Sequence, residues 1–146
     1  METKKIGAQT AALANPPTIA GHANVVGKKE GDGPLANSFD FISQDDTFGQ
    51  ASWEKAESSM QKQALSLALD KAGRSAGNLD WLFAGDLLNQ CISSSFAARG
   101  QDIPFFGLYG ACSTMGEGLA LASMVLDGGF GEQAAVTASS HFCSAE

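Results

Sequence analysis

The chain has 146 residues, of which 44% are hydrophobic, and it carries a formal net charge of −7. This length and composition predict one globular domain with a core of its own and are not typical of a disordered chain. The charge counts against nucleic-acid binding, because residues 75–146 hold a single basic residue, Arg99, with which to neutralise phosphates.

The apolar runs and the cysteines indicate the compartment. The run LALASMVL is far too short to cross a bilayer, and the first residues lack the apolar core of a secretory signal. The three cysteines are an odd number without close pairing, which is typical of free thiols in a reducing compartment. We therefore expect an intracellular protein without a membrane-spanning segment.

Residues 1–50 are predicted to form an irregular leading segment. Glycine and proline are frequent there, and the stretches 18–20 and 24–26 fit one irregular strand. The stretch KKEGDGPLANSFD, residues 28–40, is predicted to be a loop, because Gly31, Gly33 and Pro34 interrupt it. The clearer signals lie in residues 51–146.

A helix is predicted from Ser52 to about Lys71. Ser52 is a suitable N-cap, Gly73 is a suitable stop, and apolar residues recur between them at helical spacing. The residues of this predicted apolar stripe are Trp53, Ala56, Met60, Ala64 and Leu67.

Three apolar strands then alternate with two helices. The strands are predicted at 79–85, 103–110 and 133–139, and the helices at 86–100, capped by Asp86 and ended at Gly100, and at 113–129. Strands that are apolar on both faces and alternate with helices are typical of a parallel sheet. The predicted fold class is therefore α/β, with a βαβαβ core.

The second of these helices is predicted to be buried on nearly all sides. Glu117 is its only charged residue between Ser113 and Leu126, and its apolar residues occupy most of its circumference. Gly116 and Gly118 each cost about 1 kcal/mol relative to alanine in a helix interior, which makes sense where another backbone packs close by. Because one sheet covers only one side, we expect a second layer, from a longer chain or from a partner.

Polar side chains follow all three strands of the predicted sheet. Asp86, Cys112 and His141 follow the three strands, and ligands of open α/β sheets bind at the carboxyl ends of the strands. Each also has a structural interpretation: Asp86 as a helix cap, Cys112 as a small residue in a crowded turn, and His141 as a side chain that lines the core. The convergence of all three, with Asn89 one turn beyond Asp86, predicts a site.

Cys112 is a candidate nucleophile, because it directly precedes a predicted helix and the partial positive charge of a helix N-terminus stabilises a thiolate. The sequence has no dinucleotide or phosphate-loop fingerprint, and no serine lies in a nucleophile-elbow pattern. His141 and Cys143 have no second pair of ligands at metal spacing. We therefore expect neither a metal site nor a cofactor.

The segments AGDLLNQ, IPFFGLYGACST, LDGGF and ASSH occur in this order, with GDGPL and SWEKAE before them. Together they closely resemble the stage V sporulation protein AD family of endospore-forming bacteria, which is similar to condensing enzymes of the thiolase superfamily. The resemblance covers nearly the whole chain and departs from the family pattern at Met115, Gly116, Phe142 and Cys143.

The resemblance implies a thiolase-like fold in which two α/β halves stack with their core helices in contact. Residues 1–146 resemble the N-terminal half, a mostly parallel βαβαβ sheet with a buried central helix, and the C-terminal half is expected to be absent. Cys112 aligns with the nucleophile of condensing enzymes, whose assisting bases belong to that second half. We therefore expect no catalysis.

The function that the resemblance implies is binding of dipicolinic acid, as its calcium chelate, for uptake into the developing spore and release in germination. The implied ligand site comprises Asp86, Asn89, Cys112, Ser113, Thr114 and His141. The other implied partners are membrane proteins of the stage V sporulation A operon and a second copy joined through the sheet edge. The implied location is the developing spore, peripherally at its inner membrane.

Two alternatives to this function stay open. In the first, the protein is a cysteine-dependent acyl transferase or condensing enzyme, in which Cys112 carries the acyl group as a thioester. In the second, it is a truncated fragment without function, which would agree with a core helix that lacks a covering layer.

Overall fold

A computed structural model describes residues 3–88 and 91–141 of the chain. The helices are α1 (Lys28–Gly31), α2 (Trp53–Ala72), α3 (Ile92–Ala98) and α4 (Thr114–Asp127). The strands are β1 (Val25–Val26), β2 (Phe41–Ile42), β3 (Trp81–Gly85), β4 (Phe105–Gly107) and β5 (Ala134–Ala138). Short 3-10 turns occupy Ala36–Ser38, Ala76–Asn78 and Ala111–Ser113.

The strands β3, β4 and β5 form one parallel sheet in the order β4–β3–β5. Leu82 of β3 lies opposite Phe105 of β4, and Trp81 lies opposite Ala134 of β5. The predicted α/β class and the parallel βαβαβ order are therefore confirmed. All three strands run in the same direction and end at the same edge of the sheet. We call this edge, together with the segments that follow the strands there, the carboxyl edge.

Helices cover the two faces of this sheet. Leu82 and Ala84 of β3 pack in one core with Leu65 of α2, whereas Phe83 packs in a second core with Ala122 of α4. Successive side chains of a strand point to opposite faces, so α2 and α4 lie on opposite sides of β3. This alternation explains why β3 is apolar throughout.

The ends of α2 follow the signals in the sequence. The Ser52 side chain accepts a hydrogen bond from the Lys55 N–H at 3.4 Å, and Gly73 adopts the left-handed conformation with a φ of 64°. The predicted helix is therefore confirmed, but of the five apolar residues that indicated it only Ala56 is fully buried. The buried residues of α2 are Ala56, Glu57, Ser58, Gln61 and Leu65.

The helix predicted from Asp86 begins six residues later, at Ile92. Asp86 resembles an N-cap in the sequence, but its carboxylate accepts hydrogen bonds from the N–H groups of Leu88 and Ser94. These bonds tie the start of α3 to the end of β3, and Cys91, which directly precedes α3, adopts a φ of 51°. The chain therefore does not turn into a helix directly after β3.

The strand predicted at 103–110 is shorter than expected and is not buried on both faces. β4 lies at one side of the three-stranded sheet, where Phe106 and Gly107 are exposed. The ring of Phe106 stacks on Phe83, with the ring centroids 5.2 Å apart. β4 is therefore an edge strand. Within the described part of the chain it pairs only with β3, so its apolar side chains are not covered on both faces.

The leading segment contains more regular structure than predicted. β1 and β2 pair in parallel, and α1 and a 3-10 turn lie within the stretch predicted as a loop. The Lys4 ammonium pairs with the carboxylate of Asp127 at the end of α4, and the Asn15 N–H donates to the same carboxylate at 2.7 Å. The hydrogen bond from Lys4, followed by that from Asn15, lowers the pKa of Asp127 below its ordinary value. These contacts hold the leading segment against the end of α4.

α4 is covered on its sheet side and open on the other. A Cβ at Gly118 would collide with Val136 of β5, whereas a Cβ at Gly116 would meet nothing within 4 Å. The exposed apolar residues of α4, which we call its outer face, are Met115, Leu119, Leu121 and Met124. The described residues thus leave uncovered the side for which a second layer is predicted.

Candidate functional site

Cys112 lies at the carboxyl edge, in the 3-10 turn that leads from β4 into α4. Its side chain is exposed, so the interpretation of this cysteine as a small residue in a crowded turn is wrong. Ala111 beside it has a φ of 47°, a conformation that costs about 1 to 3 kcal/mol in a residue other than glycine. The turn therefore presents the thiol to solvent directly before a long helix.

The positive end of the α4 dipole lies at the same edge. The Ser113 hydroxyl donates to the Gly110 carbonyl at 2.7 Å, and its side chain caps none of the α4 N–H groups. The first N–H of α4, that of Thr114, donates to the Ala111 carbonyl, so an anion here would meet the partial positive charge of the helix dipole. Glu117 adds an opposite contribution, because its carboxylate lies against Gly110.

Thr114 is buried where β3 meets α4. It is 2% exposed, and its hydroxyl has no hydrogen-bond partner among the residues that the structure describes. A Cβ at Gly85 would lie 2.7 Å from the Thr114 methyl group, so glycine at the end of β3 allows α4 to approach this closely. Thr114 has a packing role, and its contact with a ligand stays a prediction.

The Asp86 carboxylate is buried at the carboxyl edge. The residue is 5% exposed and accepts hydrogen bonds from the Leu88 N–H at 2.8 Å, the Ser94 N–H at 2.7 Å and the Ser94 hydroxyl at 2.6 Å. Hydrogen bonds to an ionised acceptor are among the stronger ones in proteins. Asp86 therefore organises the connection to α3, while its contact with a ligand stays a prediction and Asn89 lies outside the described residues.

His141 follows β5 and is half-buried. Its backbone N–H donates to the Glu57 carboxylate at 3.1 Å, and its ring nitrogen Nε2 lies 2.8 Å from the Asp46 carbonyl oxygen, to which the ring N–H donates. The Trp53 ring lies against the imidazole, with the ring centroids 5.5 Å apart. α2 and the segment before it thus hold His141 at the edge.

A chain of hydrogen bonds links the Asp86 side of the edge to the His141 side. The Gln61 amide donates to the hydroxyls of Ser94 at 3.0 Å and Ser139 at 2.5 Å. Each serine in turn donates to a carboxylate, Ser94 to Asp86 at 2.6 Å and Ser139 to Glu57 at 2.5 Å. We call these five residues the buried polar cluster.

The structure therefore joins two of the three strand-end residues and leaves the third apart. Asp86 belongs to the buried polar cluster, and His141 is hydrogen-bonded to its member Glu57. Within residues 3–88 and 91–141, the Cys112 side chain has no hydrogen bond to either of them. Cys112 follows β4, on the opposite side of β3 from His141.

Sequence reasoning missed Glu57, Gln61, Ser94 and Ser139. A weak signal was present in α2, where Met60 is the only large apolar residue between Trp53 and Leu65. A helix that packs on a sheet with so few large apolar residues must turn polar residues inward. Glu57 and Gln61, one helical turn apart, fit that requirement.

Two adjoining clefts flank Lys62 on the exposed side of α2. One is also lined by Arg74 and Asp70, and the other by Arg99 and Glu54. Neither is lined by any of the strand-end residues. Their cations suit a free anion, so these clefts compete with the carboxyl edge as a binding location.

Two features are absent from the part of the chain that the structure describes. Within it, no group of three or more histidine, cysteine, aspartate or glutamate side chains is placed to hold a metal ion. No helix there combines the length and the apolar character that a membrane span requires.

Comparison with known proteins decides the family. The family model of Stage V sporulation protein AD matches residues 7–146. The chain belongs to the stage V sporulation protein AD family. The protein of that name from Bacillus subtilis strain 168 is 40% identical over 143 residues, which make up 98% of this chain and 42% of the relative. The chain thus spans less than half the length of this relative, and it belongs to a family of sporulation proteins.

A comparison with solved structures bears on the fold. The priming β-ketosynthase of the R1128 polyketide biosynthetic pathway has a TM-score of 0.51 and 23% identity, over 57% of this chain and 27% of that one. The 3-oxoacyl-[acyl-carrier-protein] synthase III of Aquifex aeolicus VF5 has a TM-score of 0.48 and 23% identity, over 57% and 29%. The likeness to the ketosynthase confirms the predicted thiolase-like α/β fold and, at this identity, concerns the fold alone.

Proposed function

We propose that this protein is a non-catalytic sporulation protein that binds dipicolinic acid, as its calcium chelate, at the carboxyl edge. Membership of the stage V sporulation protein AD family supports a role in sporulation. The observation that supports this binding site is that the exposed Cys112 turn, the start of α4 and the His141 segment all follow strands that end at the same edge of one sheet.

The charges at the edge favour the chelate over the free ligand. Dipicolinate is a dianion at neutral pH, whereas the protein is acidic and places the carboxylates of Asp86 and Glu117 near this edge. Calcium in the chelate cancels the charge of the ligand and prefers carboxylate oxygens as additional ligands. The positive end of the α4 dipole at this edge suits a pyridine carboxylate.

The proposal extends to the surroundings of the protein. It acts in the developing spore, peripherally at the inner membrane, in uptake of dipicolinate and in its release on germination, beside membrane proteins of the stage V sporulation A operon. Residues 1–146 form the N-terminal half of a two-half fold, and the second half covers the outer face of α4. The exposed apolar residues of α4 support that arrangement. β4, at the side of the sheet, joins a second copy.

Two substitutions of Cys112 test the binding site. We expect calorimetric titration of the wild type with calcium dipicolinate to show saturable binding. Cys112→Trp places a large ring at an exposed position of the edge, so the affinity should fall at least about tenfold with little change in stability. Cys112→Ser keeps the size, so the affinity should stay within about threefold, because this site needs the space and not the thiol.

Two outcomes of these titrations count against the proposed binding site. Absence of saturable binding by the wild type would contradict the proposal, and so would full affinity in Cys112→Trp. Titration with dipicolinate alone is the control for the chelate, and it should give weaker binding than the calcium complex.

The exposure of Cys112 directly before α4 favours one second candidate, an acyl transferase. In that reaction the Cys112 thiolate attacks the thioester carbonyl of acyl-coenzyme A, coenzyme A leaves as its thiol, and the acyl group stays on the cysteine. Intact mass measurement after incubation with acyl-coenzyme A would show the added acyl mass in the wild type and none in Cys112→Ser. Such an adduct would count for the transferase and against a pure binding role.

A further inference from the structure

We propose that Glu57 is a positioning residue. From inside α2 its carboxylate fixes the segment 139–141 at the carboxyl edge and, through Gln61, sets the place of that segment relative to Asp86. The inference rests on the proposed function for the identity of its ligand, whereas its structural part can be tested without a ligand.

The burial of Glu57 requires an explanation. The residue is 1% exposed, although removing an ionised carboxylate from water is costly unless polar groups replace the water. A helix that only had to pack on a sheet would carry an apolar residue at this position. At this position the carboxylate forms hydrogen bonds that an apolar side chain cannot form.

Both carboxylate oxygens of Glu57 bind the segment after β5. One accepts from the Ser139 hydroxyl at 2.5 Å, and the other accepts from the His141 N–H at 3.1 Å. Two contacts two residues apart fix the direction of the segment as well as its position. The imidazole then lies between the Trp53 ring and the Asp46 carbonyl, where it projects from a segment that cannot rotate freely.

Gln61 connects this fork to the other side of the edge. Its amide nitrogen donates to both serine hydroxyls, so each serine is left to donate its own hydrogen to a carboxylate. Ser139 donates to Glu57 and Ser94 donates to Asp86. Turning Ser94 or Ser139 would remove a hydrogen bond from its carboxylate, so these bonds hold the ends of β3 and β5 in one relative placement, although the Gln61 Oε1 has no partner among the described residues.

A matched pair of substitutions on α2 tests this role. Glu57→Gln keeps the size of the side chain but replaces one acceptor oxygen with a donor, so one branch of the fork is lost. Glu54→Gln removes a carboxylate from the exposed side of the same helix and is the control for charge. Both proteins are compared with the wild type by NMR, urea unfolding and calorimetric titration with calcium dipicolinate.

In Glu57→Gln we expect the amide of His141 to exchange with solvent about tenfold faster, measured against the global unfolding free energy of each protein. The imidazole resonances of His141 should move, and the affinity for calcium dipicolinate should fall about tenfold, because the segment loses its place at the edge. Glu54→Gln should reproduce the wild type in the NMR and titration measurements and lower the free energy of unfolding by no more than about 1 kcal/mol, because Glu54 lies in the first turn of α2, where a carboxylate is favourable. A purely structural Glu57 would change global stability without a local change at His141.

Each contrary result has its own meaning. Unmoved His141 resonances with unchanged exchange in Glu57→Gln would overturn the inference whatever the ligand does. Moved resonances with full affinity would overturn its ligand part. A wild type that binds no calcium dipicolinate would end the proposed function, while the exchange measurement would still decide the role of Glu57.

A second variant covers the case in which Glu57→Gln does not fold. Ser139→Ala removes the half-buried hydroxyl that links Gln61 to Glu57, and it removes no charge. We expect the same displacement of the His141 resonances, with a smaller loss of affinity. Resonances of His141 that stay in place in Ser139→Ala would then overturn the inference.

Discussion

Replacing Asp86 with alanine is expected to lower the free energy of unfolding by about 3 kcal/mol, because a buried acceptor of three hydrogen bonds is lost. Ser94 is fully buried, so its N–H would be left without a partner or water. Urea unfolding followed by circular dichroism measures the change. Asp32→Ala, at an exposed aspartate, is the control and should stay within about 0.5 kcal/mol of the wild type.

This expectation affects how binding experiments on Asp86 are interpreted. Loss of dipicolinate binding in Asp86→Ala shows a lost ligand contact only where the connection between β3 and α3 stays folded. A change in unfolding free energy below about 1 kcal/mol would contradict the structural role and would leave the carboxylate available to a ligand.

Gly118→Ala is expected to lower the free energy of unfolding by about 2 kcal/mol, although alanine is the better helix former. Its Cβ would collide with Val136 and lie 3.1 Å from a Leu108 methyl group, so α4 would have to move away from the sheet. Gly116→Ala is the matched control two residues away, where the added Cβ meets nothing within 4 Å. That substitution should raise stability by up to about 1 kcal/mol.

The control also reports on the outer face of α4. Destabilisation by Gly116→Ala would mean that another backbone packs against this face in solution, as the predicted second layer requires. Equal and small effects of both substitutions would contradict the close packing of Gly118 on the sheet. Thermal unfolding of the two variants side by side gives the comparison.

The core of the fold could be predicted because its signals are local. Ser52 and Gly73 bracket α2, and the apolar segments that became β3 and β5 are short runs between turn residues. The start of α3 could not be predicted in the same way. Asp86 carries the local signature of a cap, but one of its acceptors binds an N–H eight residues away, which depends on the path of the intervening chain.

The candidate site, like the fold, could be predicted only in part. Parallel topology places the ends of three strands at one edge, so the neighbourhood of Asp86, Cys112 and His141 follows from the order of elements alone. The buried polar cluster does not follow, because its bonds join residues 78 and 82 positions apart in the sequence. The periodicity of one segment does not indicate which distant serine will donate a hydrogen bond to a buried glutamate.

The covering of apolar faces could be predicted only in part, for a related reason. Phe106 and the outer face of α4 are apolar, and a sequence pattern alone does not distinguish a covered face from an open one. Within the described residues these side chains are open, and this chain spans 42% of the length of the Bacillus subtilis relative. The pattern predicted the need for a layer and not its source.

A backbone NMR titration with calcium dipicolinate tests most directly whether the ligand binds where the three strands end. If it does, the amide resonances of Ser113 and His141 will move in proportion to occupancy, and those of Lys62 and Arg74 in the cleft beside α2 will stay in place. Movement confined to Lys62 and Arg74, or no movement at saturating ligand, would contradict binding at the carboxyl edge.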